Sequence, residues 1–190
     1  MLNTFELPDA LKFNPVLMPI EHEGVSLPIS IGQKIVRDDT NEVLGIGKSR
    51  ITPTAYTRTW EPLVQGLEES GLDLSEAECK FNSMDNGARM FADITLKSYN
   101  YDYIVGEPTA LQMRVRNSVD GSLKYDVSAF IKRLWCSNGC ARIAENTSVK
   151  FKHTISTEPE KIGQVAATWP LVLEDDAHLF NHMRKVAMER

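Results

Sequence analysis

Three cysteines and one histidine are the residues whose types best suit bond chemistry. Cys136 and Cys140 lie four apart, with Cys79 upstream and His153 downstream, a set that could offer three zinc ligands and a fourth. Structural zinc draws on two close Cys/His pairs, and His153 has no paired neighbour, so packed thiols are expected and no metal site is assigned. Cys136 with His153 supplies the types for a thiolate nucleophile and its base, yet their spacing matches no known arrangement. A serine hydrolase is equally unsupported, because no G-x-S-x-G elbow is present. His178 and His182 fall at i, i+4 beside Asp175 and Asp176, but without the glutamate of a metalloprotease helix. GIGKS at Gly45 to Ser49 invites a phosphate-loop reading and fails at its first glycine, where Glu42 stands; a strand-edge turn is expected instead. The sequence therefore points away from an enzyme and from any cofactor.

Charge is the stronger signal. From Leu111 to Lys152 eight basic residues face three acidic ones, a local +5, whereas the first 110 residues carry −8 and the stretch from His153 onward −2. A net −5 overall thus hides a sign reversal of the kind that suits a phosphate-bearing partner. Rings accompany the block. Tyr99, Tyr101 and Tyr103 precede it, and Phe130 and Trp135 adjoin Lys132 and Arg133. A cationic groove with stackable rings holds single strands without reading base edges, each stacked base giving about 1–3 kcal/mol.

The elements that must position these side chains follow from hydrophobic period. Residues 1–50 read as an irregular N-terminal arm with short strands, given proline and short apolar runs such as NPVLMPI; Asn41 to Ile46 suits one strand. Thr57 to Ser70 places Trp60, Leu63, Val64 and Leu67 on one helical face, with Pro62 expected in the first turn. Met90, Ala92, Ile94 and Leu96 then alternate with polar neighbours as in a strand, and Tyr99 to Val105 looks extended. A hairpin follows. Leu111, Met113, Val115 and Asn117 run out, Asp120-Gly121 turns, and Leu123, Tyr125, Val127 and Ala129 return. Lys132 to Glu145 is read as a helix kinked at Asn138-Gly139, Ser148 to Ile155 as a strand, and Trp169 to Arg190 as a long helix. The fold class is α+β: an antiparallel sheet in a β-β-β-α core over residues 51–165, flanked by helices, with residues 166–190 as the C-terminal one.

The order NEVLGIGKSRITP, GARMFADITLK, RVRNSVDGSLKYDVSAFIKRLWCSNGC and KFKHT resembles the phage/plasmid-like proteins of the domain of unknown function 932 family, over roughly Asn41 to Val165. NSVDGS, RLWCSNG and KHT are its most specific parts; Cys140 and the stop at Arg190 depart from many members. The resemblance implies a phage or plasmid context and no catalytic residue. At the level of fold alone, strands followed by a helix with basic residues at the boundary are similar to the Rad52-like single-strand annealing proteins, which cradle single-stranded DNA in oligomers without ATP.

These readings converge on a phage or plasmid protein that binds or anneals single-stranded DNA as a homo-oligomer. Arg114, Arg116, Lys124, Lys132, Arg133, Lys150 and Lys152 are expected to neutralise phosphates, and Trp135 and one of the tyrosines to stack bases. The alternative is an early protein that binds a host replication or transcription protein through its acidic ends. Neither a membrane span of ~20 apolar residues nor a secretory signal in MLNTFELPDALKF is read, so the cytoplasm of a bacterial host is the expected location.

Overall fold

The N-terminal part forms five short strands, β1 (Pro15–Pro19), a proline-bounded apolar run, then β2 (Glu21–His22), β3 (Val25–Ser26), β4 (Gln33–Arg37) and β5 (Val43–Gly47). The computed structural model describes residues 3–48, 51–98, 109–133, 141–151 and 161–168. β1, β4 and β5 make an antiparallel sheet in the order β1-β4-β5, while β2 and β3 form a two-stranded arm inserted between β1 and β4. Glu23 and Gly24, both at positive φ, close that arm with a two-residue turn whose twist suits a hairpin.

Helix α1 (Thr57–Glu69) follows, burying Thr59, Trp60, Leu63, Val64, Gly66 and Leu67 along one face as the spacing predicts. Pro62 sits in the second turn of this helix, not the first. It has no N–H to return to the Arg58 carbonyl, so local packing carries the helix through a position that propensity disfavours.

The larger sheet is a meander of β6 (Ala77–Met84), β7 (Arg89–Leu96), β8 (Thr109–Ser118), β9 (Tyr125–Arg133) and β10 (Ala141–Phe151), ordered β10-β9-β8-β7-β6. Strict alternation makes one face core: Met90, Ala92, Ile94, Leu96, Leu111, Met113, Val115, Tyr125, Val127 and Ala129 join Trp60, Leu63, Val64 and Leu67 in one cluster. Full burial of each large apolar side chain is worth about 1.5–3 kcal/mol, so this helix-on-sheet core dominates stability. Trp60 crosses the Phe81 ring edge-on at 4.9 Å and donates its Nε1–H to the Phe5 carbonyl at 2.7 Å, which draws the N-terminus beneath the helix.

The α+β expectation holds, with a larger sheet than three strands. Lys132 to Glu145 differs from its reading as a helix: Lys132 and Arg133 end β9, Ala141 to Glu145 open β10, and Ala141 pairs with Lys132. Pairing along the free edge of β9 overrides a local helical preference worth only tenths of a kcal/mol per residue. β10 also starts earlier than the strand expected from Ser148. The readings for Tyr99 to Val105 and Trp169 to Arg190 lie outside the described residues. Residues 161–168 form a second helix, α2, with Ile162 and Ala166 buried.

Candidate nucleic-acid interface

The second face of the meander carries the charge. Antiparallel register aligns its side chains in rows: Asn82, Phe91, Arg116, Asp126 and Lys150 form one, and Lys80, Asp93, Arg114 and Ser128 the next. Six cations with described side chains belong here, Lys80, Arg89, Lys97, Arg114, Arg116 and Lys150, against four carboxylates, Glu78, Asp85, Asp93 and Asp126. Phe91 lies half-buried between Asn82 and Arg116 as an available ring.

Arginine and aspartate are neighbours by register, and they pair. Arg114 donates Nε and an Nη to the two carboxylate oxygens of Asp93 at 2.7 and 3.0 Å, a fork geometry that fixes the guanidinium plane. This raises the Arg114 pKa further, chiefly through the hydrogen bond to Asp93, so its charge is permanent. Arg116 donates to Asp126, which also accepts from the Ser128 hydroxyl at 2.8 Å. The two pairs differ in burial. Asp93 and Arg114 are both open to solvent, whereas the Asp126 side chain is 6% exposed. An exposed pair is worth roughly 0–1 kcal/mol and can be exchanged for a phosphate; stranding a buried carboxylate costs several times more. The Arg114–Asp93 pair is therefore the more readily exchanged of the two, and the Arg116–Asp126 pair the more firmly held.

Lys80, Lys124 and Lys150 are exposed and have no ion-pair partner among the described residues. Lys97 bonds Glu78, whose carboxyl it holds below the usual range. Arg89 bridges Asp85 at 3.1 Å and donates to the Ser122 hydroxyl at 3.0 Å.

Of the residues expected from sequence, Arg114, Arg116 and Lys150 share the solvent-facing rows, and Lys124 lies in the loop between β8 and β9. The backbone of Lys132 and Arg133 closes β9. Trp135 and Lys152 lie outside the described residues, as do Cys136, Cys140, His153, His178 and His182. Among the described residues no group of three or more His, Cys, Asp or Glu is placed to hold a metal. Cys79 is half-buried, and desolvation pushes its thiol up to about 12. Lys80, Arg89, Lys97 and Phe91 were not singled out from sequence; the alternation of exposed and buried positions along β6 and β7 was the available signal.

The NSVDGS stretch is architectural. Asn117 donates Nδ2–H to the Thr59 hydroxyl at 3.0 Å in the core and accepts from the Ser118 N–H at 2.8 Å. Asp120 accepts from the Ser122 N–H at 2.9 Å, and the Ser118 hydroxyl accepts from the Leu123 N–H at 3.0 Å. The reversal thus spans residues 119–124 and not the two-residue Asp120-Gly121 turn expected. Gly45 lies within β5, and a methyl there would sit 2.9 Å from the Asp120 Cβ. Gly45 of the GIGKS stretch thus lies in a strand packed close against the loop between β8 and β9, where a strand-edge turn was expected.

The fold and this surface define a mixed α+β protein with a charged, solvent-facing antiparallel sheet. The chain belongs to the family described as Domain of unknown function (DUF932), which it matches over residues 61–187. That span begins after NEVLGIGKSRITP and runs beyond Val165, so the resemblance is shifted toward the C-terminus relative to the sequence reading. No curated protein and no solved structure matches the chain. No helix among the described residues is long and apolar enough to cross a membrane.

Proposed function

We propose that this protein binds single-stranded DNA along the outer face of the β6–β10 sheet and supports annealing in phage or plasmid replication or recombination without ATP. The observation that carries this reading is the excess of cations on one continuous sheet face, where Lys80 and Lys150 have no carboxylate partner among the described residues, with Lys124 in the adjoining loop and Phe91 set among them. Lys80, Lys124 and Lys150 supply phosphate contacts, Arg114 exchanges Asp93 for a phosphate, and Phe91 stacks a base. The face runs across five strands, each ~4.8 Å from the next, and so offers a track for several nucleotides. The likeness to single-strand annealing proteins is part of this proposal and rests on charge alone, since β10 stands where a helix was expected after the strands.

Anisotropy of a labelled oligonucleotide, titrated at several salt concentrations, tests it. Affinity falls steeply with salt through counterion release, and Lys80→Ala with Lys150→Ala lowers both affinity and salt slope. Binding that is absent, or indifferent to salt and to these substitutions, overturns the reading.

A further inference from the structure

Phe91 stands between two hydrogen-bonding side chains of unlike chemistry. Register sets Asn82 across from it on β6 and Arg116 across from it on β8, so an amide and a guanidinium flank one ring, with their backbones about 10 Å apart at two strand spacings. Asn82 is exposed and makes no side-chain hydrogen bond among the described residues. Arg116 donates through one Nη to Asp126 and to no other described group, and its side chain is 46% exposed, so further N–H donors stay open to solvent. Met84 adds an apolar wall. It lies two residues along β6 from Asn82, diagonal to Phe91, and is 51% exposed.

We propose that Asn82, Phe91 and Arg116 read a guanine base, an assignment that rests on the strand binding proposed above and adds selection by base to it. Phe91 supplies the stacking plane. Guanine turns two acceptors, O6 and N7, toward a guanidinium that can only donate, while the N–H donors of its adjoining edge meet the amide oxygen of Asn82. Adenine would set its amino donor against Arg116, and a pyrimidine has no N7 to offer. Charge separates this role from phosphate binding: Asp126 already answers the charge of Arg116, so the remaining donors suit a neutral acceptor better than an anion. Lys80, two residues along β6 from Asn82 and without an ion-pair partner among the described residues, takes the phosphate instead. The nearly buried Asp126 carboxylate also holds the guanidinium in place before the base arrives, which lowers the cost of ordering it on binding.

Competition of unlabelled oligothymidine strands against a labelled one, read by fluorescence anisotropy with the full chain, tests this. A strand with one central guanine competes about fivefold better or more than the all-thymine strand, and adenine, cytosine or 7-deazaguanine in its place recovers little of that gain. Arg116→Lys keeps a cation beside Asp126 but loses the fork, and Asn82→Ala changes an exposed residue on the edge strand; each removes the guanine preference while affinity for the all-thymine strand stays within about twofold. If all strands bind and guanine gains nothing, or 7-deazaguanine matches guanine, the assignment is overturned and strand binding stands. Arg116→Lys that weakens every strand alike and keeps the preference overturns it as well, by giving this arginine to phosphate. A chain that binds no strand fails the proposed function, and the base assignment falls with it. The 7-deazaguanine comparison uses the wild type, so it decides even where a variant unfolds.

Discussion

Gly66 and Gly163 pack backbone against backbone: a methyl on Gly66 would lie 2.2 Å from the Gly163 carbonyl oxygen, and one on Gly163 would lie 2.6 Å from that of Pro62. No flexible side chain can yield there, so α1 and α2 cross only because both positions lack a Cβ.

Gly66→Ala is accordingly expected to undock α2 and expose Ile162 and Ala166. The cost is about 1–3 kcal/mol, the range for overpacking a filled interior. Urea denaturation reads it, and limited proteolysis reports the released helix. A midpoint within error of the wild type would show that the helices do not meet in this way.

Asn117 and Thr59 form the buried polar link between β8 and α1. Asn117→Ala leaves the Ser118 N–H without its acceptor and the Thr59 hydroxyl without a donor, at a cost of about 1–3 kcal/mol. A double-mutant cycle with Thr59→Ala should give coupling of about 0.5–3 kcal/mol, and additivity would remove the link.

Asp93→Asn removes the carboxylate that faces Arg114 while leaving the core face intact. Strand binding should tighten by a few-fold, with the salt slope steeper by about one phosphate contact. Asp126→Asn should instead lower stability, since the buried carboxylate anchors both Arg116 and Ser128. Equal effects from the two substitutions would contradict the difference in their burial.

Acid should destabilise the fold in a defined direction. Hydrogen bonding from Arg37 holds Asp39 below the usual range, from Asn14 does the same for Asp38, and from Lys97 for Glu78. A carboxyl with a folded pKa below its unfolded value contributes stability that is complete above the unfolded value and disappears as pH falls through the folded one. Thermal midpoints should therefore hold between about pH 7 and 5 and decline below about pH 4. Asp39→Asn should flatten part of that decline, and a curve unchanged by it would remove Asp39 from the account.

Period-two alternation made β7, β8 and β9 legible, because burial on one face leaves its mark at every second residue from Met90 to Leu96 and Leu111 to Asn117. The same pattern failed at Lys132, Arg133 and Ala141 to Glu145, where pairing between β9 and β10, which local propensity does not encode, decides the structure. The candidate surface was legible by charge and illegible by register. Asp93 and Arg114 are 21 residues apart in the chain, and only antiparallel pairing of β7 with β8 reveals that the arginine arrives beside a carboxylate. Net charge counted along a segment overstates what its surface offers.

Each strand of the β6–β10 meander pairs with the strand just before it, whereas the N-terminal lobe is fastened by bonds that leap far along the chain: Trp60 to Phe5, Tyr56 to Gly87, Arg37 to Asn86. Short loops close at little entropic expense and long ones at more. The meander is thus set to assemble first during refolding and to hold its amide protons longest in native-state exchange, with the N-terminal strands joining late and opening early.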